Sequence, residues 1–147
     1  DPPQRRGRGA GSLGLRLVKA ARALALVALA SAAAIAHGAD RDPKRGEEIY
    51  SRCLACHALA YDRTGPRHCG LIGRRAGSVA GFAYSDAMKR SNIVWNAKAL
   101  DRFIADPLKA VPGTAMGYAG VKDARERGDL IAYLESAGKS EECRKAR

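Results

Sequence analysis

The sequence predicts an all-α domain of three to five helices joined by long ordered loops. Apolar side chains recur at helical spacing in short segments, each behind a residue that can cap a helix. No segment alternates apolar and polar residues as a strand does. Residues 58–80 are instead rich in Gly, Arg and Pro, which is typical of loops. Loops this long in so small a domain usually need a bound group or another structural element to pack around.

Four helices are expected, in a simple order. The first helix covers residues 44–53, with Asp42 as its N-terminal cap and Pro43 in its first turn. The second covers residues 84–89 and is opened by Ser85 or Tyr84. The third begins after Asn96 and ends at Pro107, and the fourth begins after Asp123 and ends at Gly138. Their apolar faces include Ile49, Leu100, Ile104, Leu130 and Leu134. Burying these faces against one another would form a single core.

The N-terminal residues 1–39 predict a secretory signal peptide. Six basic side chains precede an uncharged run at residues 23–36, and Ala34-Ile35-Ala36 fits a small-x-small cleavage motif. We therefore expect cleavage near residues 36–39 and a mature domain of residues 40–147 with a short C-terminal tail, exported to a bacterial periplasm. The alternative is a permanent anchor, but a spanning helix needs roughly 20 apolar residues and this run is shorter.

The chain is basic, with 26 Lys and Arg against 15 Asp and Glu, a net charge of +11. Residues 40–147 retain 20 basic and 14 acidic side chains, or +6. Such an excess favours acidic partners. No nucleic-acid-binding motif accompanies it, so nucleic acid is not expected.

The motif that carries chemistry is Cys53-Leu54-Ala55-Cys56-His57, the C-x-x-C-H pattern of c-type haem attachment. Two thiols three positions apart can each form a thioether with one haem, and the adjacent His57 can ligate its iron. Two other sites remain open: a zinc site completed by His68 and Cys69, and a thioredoxin-like redox pair, which would need a βαβ context that is absent.

A sixth ligand to iron would have to be a soft or nitrogenous donor. The candidates beyond the motif are Met88, Met116 and His68. Met116 lies in a Pro-Gly-Thr loop that can present a side chain, whereas Met88 lies in a helical stretch where a core Met is the usual explanation. A His/Met pair would raise the reduction potential.

With these residues the chain resembles class I cytochrome c, of the mitochondrial and bacterial c2-like branch. The resemblance spans residues 42–134 and rests on the haem motif with Gly65-Pro66, Gly70-x-x-Gly73-Arg74-x-Ala76-Gly77, Phe82-x-Tyr84-Ser85, Trp95, Pro112-Gly113-Thr114-x-Met116 and 127–134. It implies a class I cytochrome c fold around one covalent haem c.

The resemblance also implies residue roles. Cys53 and Cys56 would hold the haem, with His57 and Met116 as axial ligands to the iron. The Pro66 carbonyl would accept the other ring N–H of His57. Tyr84 and Trp95 would bond a haem propionate, and Arg74 would partly neutralise it; for these aromatic residues core filling is the alternative. Gly46 and Tyr50 would lie where the first and last helices cross.

Two positions depart from the family pattern. His68 stands where a Leu usually lies beside the haem, so its imidazole either faces solvent with the loop shifted, which we favour, or is a polar group near the haem. Phe103 replaces a Tyr whose hydroxyl often contacts the Met sulfur, which should alter the Met116 bond.

Cys69 and Cys143 remain after the haem takes two thiols. An even remainder in an oxidising compartment suggests a disulfide, and in this fold the Cys69 loop lies near the end of the last helix. The alternative is two free thiols.

The predicted function is a soluble monohaem electron carrier, not an enzyme, working between periplasmic or membrane redox partners. Those partners, a reductase and an oxidase or dehydrogenase, would carry acidic docking surfaces opposite cations such as Lys109. We expect a monomer that meets the membrane only through partners or an uncleaved signal anchor. The alternative is a haem protein with a labile Met ligand, acting as a small-ligand sensor or a peroxidase-like enzyme.

Overall fold

A computed structural model describes residues 41–146, and within them the chain is helical. Its six helices are α1 Pro43–Tyr50, α2 Asp86–Arg90, α3 Ala97–Ala105, α4 Pro107–Ala110, α5 Ala124–Ala137 and α6 Glu141–Lys145. A 3-10 turn, Ser51–Cys53, continues α1. Within the described range one isolated antiparallel bridge, between Arg75 and Val94, is the only strand-like pairing. The all-α prediction is confirmed.

The predicted caps begin the four main helices. The side chains of Asp42, Ser85, Asn96 and Asp123 each accept a hydrogen bond from a backbone N–H in the first turn, at 2.8 to 3.2 Å. Each bond satisfies a donor that has no partner within its helix. Short polar side chains ahead of apolar periodicity therefore predicted where these helices begin.

Two one-turn helices bring the number to six rather than three to five. Pro107 ends α3 but also begins α4, because its ring favours a first helical turn and Asp106 caps that turn through Lys109 N at 3.1 Å. The predicted C-terminal tail contains α6, capped by Ser140, whose Oγ accepts from Cys143 N at 3.3 Å. This short helix places Cys143 fully out of solvent.

Helices α1 and α5 cross at Gly46. A Cβ added there would lie 2.0 Å from the Asp129 carbonyl oxygen and 2.7 Å from the Tyr133 Cβ, so only glycine permits this approach. One turn further along α1, the Tyr50 ring packs against that of Tyr133 with centroids 5.1 Å apart. Leu130, which lies on α5 with Tyr133, is 1% exposed. The expected crossing of the first and last main helices is confirmed.

A buried carboxylate joins the two helices at this crossing. Asp129 accepts from the backbone N–H of Asp42 at 2.7 Å and from Nε of Arg45 at 3.0 Å. Burial acts to raise the pKa of Asp129, but the Asp42 N–H and the Arg45 guanidinium outweigh it and bring the pKa below its ordinary value. The charged form is therefore favoured in the folded state.

Acid should weaken this junction. The pKa of Asp129 is lower in the folded state than in the unfolded state. Its contribution to the free energy of unfolding is therefore fully present above the unfolded pKa of about 3.9, and it is lost as the pH falls through the folded pKa. Asp129→Asn should lower the free energy of unfolding at pH 7 by roughly 2 kcal/mol. It should also flatten the loss of stability below about pH 4. Urea unfolding at a series of pH values measures both.

Asp86→Asn is the matched control, since that side chain is 74% exposed. If the free energy of unfolding of Asp129→Asn changed with pH in parallel with that of the wild type, the lowered pKa of Asp129 would be contradicted.

The predicted signal peptide, residues 1–39, lies outside the described residues and stays a prediction, as does a domain boundary at residue 40. Within residues 41–146 every helix is too short or too polar to cross a membrane.

Candidate functional site

A cavity of about 510 Å³ opens inside the core, a size in the range of small-molecule and cofactor sites. Its walls come from α1, the turn after it, α2, α3, α5 and the loops between them. Every site residue predicted from the sequence lines it, namely Cys53, Cys56, His57, Pro66, Arg74, Tyr84, Trp95 and Met116. Residues spread over more than sixty positions thus meet at one apolar site.

The cysteine motif lies on a tight turn at the cavity wall. Both Cys56 N and His57 N donate to the Cys53 carbonyl, at 3.1 and 2.9 Å, so the chain wraps closely and brings the three side chains to one side. The thiols of Cys53 and Cys56 are not in a disulfide. Burial raises the pKa of Cys53 to about 11, although the Arg52 charge opposes it. This thiol is therefore neutral at ordinary pH.

The His57 ring is held at three places. Its Nδ1–H donates to the Pro66 carbonyl at 2.8 Å, which leaves Nε2 unprotonated and able to ligate a metal. Burial lowers the pKa of His57, which keeps the ring neutral. Gly65 lies so close that an added Cβ would be 2.2 Å from Cε1 of the ring. The third contact, with His68, is a ring stack.

His68 does not face solvent, so that prediction is wrong. Its ring stacks on His57 with centroids 4.3 Å apart and an interplanar angle of 22°, and its Nδ1 lies 3.0 Å from the Tyr50 hydroxyl. The backbone N–H groups of His68 and Cys69 donate to the Leu59 carbonyl at 3.1 and 2.7 Å, and the His68 side chain forms part of the cavity wall. Burial lowers the pKa of His68 to about 3, and the positive charge of Arg74 acts in the same direction.

Arg74 is a half-buried cation beside the cavity. Its guanidinium donates to the carbonyls of Cys69 at 3.1 Å and Arg67 at 2.8 Å, and it forms no ion pair within residues 41–146. Burial lowers its pKa. Trp95 is tied to Arg74 by a 2.9 Å backbone hydrogen bond, and Tyr84 lies on the same wall. This corner of the cavity suits an anionic group.

The two methionines occupy different settings. Met116 lies in the irregular segment between α4 and α5, is half-buried, and its N–H donates to Thr114 Oγ1 at 3.3 Å. Met88 lies on α2, is 7% exposed and belongs to the core cluster, although it also reaches the cavity wall. The loop setting of Met116 and the core setting of Met88 agree with the sequence analysis.

Cys69 and Cys143 form a disulfide, with their Cα atoms 5.0 Å apart. Cys69 is therefore unavailable to a zinc ion, and no group of three metal-ligating side chains occurs within residues 41–146. The zinc alternative is wrong.

Comparison with known proteins identifies the fold and its cofactor. The cytochrome c family model matches residues 43–138. The chain belongs to the cytochrome c family. Cytochrome c2 of Blastochloris viridis is 44% identical over 107 residues, which cover 71% of this chain and 84% of that protein. Cytochrome c type-1 of Ascaris suum is 43% identical over 107 residues, covering 71% of this chain and 91% of that protein.

A solved structure of a cytochrome c supports the same family. Cytochrome cH from Methylobacterium extorquens matches with a TM-score of 0.63 and 40% identity, covering 65% of this chain and 98% of that chain. As a member of the cytochrome c family, the protein binds haem c covalently and is a monohaem electron carrier rather than an enzyme. The residues present fit that group, since one apolar cavity collects two free thiols, a neutral imidazole, a thioether and a cation that has no carboxylate partner among residues 41–146.

Two features of this cytochrome c site were not predicted from the sequence. They are the close approach of Gly65 to the His57 ring and the contact of Tyr50 with His68, since Tyr50 was expected only at the helix crossing. A G-P pair shortly after the haem motif is a usable signal for Gly65. No local signal points to the contact between Tyr50 and His68, because it joins residues 18 positions apart.

Proposed function

We propose that Cys53 and Cys56 hold the haem through thioether bonds and that His57 and Met116 are its axial iron ligands. The supporting observation is that one cavity brings these four side chains together, with the Nε2 of His57 left free by the bond from Nδ1 to Pro66. When bound, haem supplies an iron that accepts and releases one electron.

The protein's own groups orient and tune this centre. The Pro66 carbonyl and Gly65 fix where the His57 ring lies, so little rearrangement is needed between redox states. Arg74, with Tyr84 and Trp95, is placed to compensate a haem propionate, whose charge would otherwise be costly in an apolar cavity. The apolar core around the cavity would keep water away from the iron of a bound haem.

Met116→Ala tests the ligand assignment. The wild-type holoprotein should show sharp reduced α and Soret bands and a weak long-wavelength ferric band typical of thioether ligation. In Met116→Ala the covalent haem should remain while the long-wavelength band disappears, because the sulfur donor is gone. The measurement is the visible spectrum, ferric and then dithionite-reduced.

Met88→Leu is the matched control, a substitution of similar volume in the core. It should keep the long-wavelength band. Loss of the band in Met88→Leu with retention in Met116→Ala would reverse the assignment. A wild-type protein without haem bands would overturn the proposed role of the site.

We propose further that the protein works in a bacterial periplasm with redox proteins that carry acidic docking surfaces. The basic balance of the chain, the predicted signal peptide and the match to bacterial cytochromes c2 support this. Lys109 is exposed and has no carboxylate partner within residues 41–146, whereas Lys89 and Lys122 lie 3.7 and 3.6 Å from Asp86 and Asp106. Of these three lysines, Lys109 carries the least compensated charge within residues 41–146.

Ferricyanide, an anionic oxidant, provides a simple probe of this charge. Oxidation of the reduced protein should slow with added salt, since exposed charges are screened. Lys109→Ala should slow it several-fold at low salt. Lys145→Ala, which removes a lysine paired with Glu141 at 2.7 Å, is the control and should have a smaller effect. A rate independent of salt in stopped-flow measurements would contradict electrostatic steering.

The second candidate is a ligand-binding haem protein with a labile Met116. The observation that favours it is Phe103, which is buried beside the cavity, 5.1 Å from the Trp95 ring, and has no hydroxyl to offer the Met sulfur. Binding of carbon monoxide to the reduced wild-type protein at neutral pH would support this candidate, and its absence would favour the carrier.

A further inference from the structure

The cavity holds a polar pair to which the proposed roles assign nothing. The Tyr50 side chain is 3% exposed, and its hydroxyl lies 3.0 Å from Nδ1 of His68. The His68 ring in turn stacks on His57 at 4.3 Å. A continuous line of contacts therefore runs from helix α1 to the ring of the proposed iron ligand.

The hydrogen bond between these two side chains has a determined direction. No other group within residues 41–146 bonds to the Tyr50 hydroxyl, and a buried O–H without an acceptor is costly. The hydroxyl therefore donates and Nδ1 of His68 accepts. A neutral imidazole that accepts at Nδ1 carries its proton on Nε2.

The Nε2–H of His68 remains accessible. No described group accepts from it, and no buried side-chain nitrogen or oxygen within the described range lacks a partner, so protein atoms do not enclose it. The His68 ring also forms part of the cavity wall. An N–H dipole directed into the cavity would lie beside a bound haem, whose iron gains positive charge on oxidation.

The backbone holds His68 in this position. Its N–H donates to the carbonyls of Ala58 and Leu59, both at 3.1 Å, and the next residue, Cys69, is bonded to Cys143. Turning the ring out of the cavity would break its 3.0 Å contact with the Tyr50 hydroxyl and its stack on His57. Its stack on His57 is thus a built feature of the loop.

We propose that Tyr50 and His68 are positioning residues for His57: they hold the plane of its ring and present an N–H dipole to the cavity that disfavours the oxidised centre. This inference rests on the proposed role of His57 as an axial ligand. In a water-excluded cavity the dipole is weakly screened, so its effect on the reduction potential is larger than it would be at the surface.

Substitutions of His68 test the dipole and the ring plane together. The reduction potential of His68→Leu holoprotein should shift below that of the wild type. The pattern of haem-methyl proton resonances in the ferric state, which follows the plane of the axial imidazole, should change. His68→Gln keeps an acceptor for Tyr50 and an N–H donor, so it should restore the potential towards the wild-type value.

Substitution of Tyr50 tests the link to helix α1. Tyr50→Phe retains the ring and removes only the hydroxyl, so its potential should shift in the same direction as that of His68→Leu but by less. In the His68→Leu background it should cause no further shift. Tyr61→Phe, which removes a hydroxyl from a 62% exposed ring, is the matched control and should leave the potential unchanged.

An unchanged or raised potential in His68→Leu would overturn the inference. A Tyr50→Phe variant with the same potential as Tyr61→Phe would also overturn it. If His68→Leu does not fold, the Tyr50→Phe variant still tests the inference. Failure of the proposed function is recognised separately, because it would appear in the wild type as missing haem bands or a missing Met-ligation band.

Discussion

Gly65→Ala should disrupt the haem site more than any other single-methyl change in the described residues that line it. The added Cβ would lie 2.2 Å from Cε1 of His57 and 2.6 Å from both ring nitrogens. The ring cannot retreat, because Pro66 holds Nδ1 and His68 stacks against it. We expect the free energy of unfolding to fall by about 3 kcal/mol, the upper part of the range for overpacking.

The same substitution should appear in the spectrum. Displacing the imidazole changes the ligand on one side of the iron, so the low-spin ferric spectrum should be lost or mixed with a high-spin one. Urea unfolding and the ferric visible spectrum measure the two effects.

Gly128→Ala is the control for Gly65→Ala. It lies in α5, and its added Cβ would make only an ordinary 3.5 Å contact with Arg41. Since alanine favours a helix interior over glycine, this control should be neutral or more stable by up to about 1 kcal/mol. Equal stability and equal spectra for Gly65→Ala and the wild type would show that His57 does not lie where the structure places it.

Removal of the disulfide should cause the largest loss of stability. The bond closes a loop between residues 74 positions apart, and loop-closure entropy predicts a stabilisation of about 4 kcal/mol. Cys69→Ala/Cys143→Ala should therefore unfold at a much lower urea concentration. The loop it anchors carries the Pro66 carbonyl and His68, so the wild type should also be more resistant to loss of the Met-ligation band on heating.

Two controls separate the cross-link from the helix that carries it. Ser140→Ala removes the cap of α6 but leaves the bond, and should cost only about 1 kcal/mol. A thiol reductant should lower the stability of the wild type and leave the double variant unchanged. Alkylation of Cys69 in the unreduced native protein would contradict the disulfide.

The sequence by itself determined the parts of this protein that depend on local chemistry. Helix starts follow from Asp42, Asn96 and Asp123, because a cap needs only its own side chain and the next turn of backbone. The haem motif also lies within five consecutive residues, so its spacing alone carries the chemistry. With the resemblance, the sequence also predicts the eight site residues that line the cavity.

Contacts between segments that are distant in sequence were decided only by the tertiary structure. The side of the loop on which His68 lies follows from hydrogen bonds to Leu59 and from the Tyr50 hydroxyl, and neither is near it in sequence. Cys143 reaches Cys69 because α6 folds back from the end of α5, where the sequence indicated only a tail. Local propensity specifies which backbone groups a residue can satisfy nearby, whereas a stack or a cross-link depends on where packing brings two segments together.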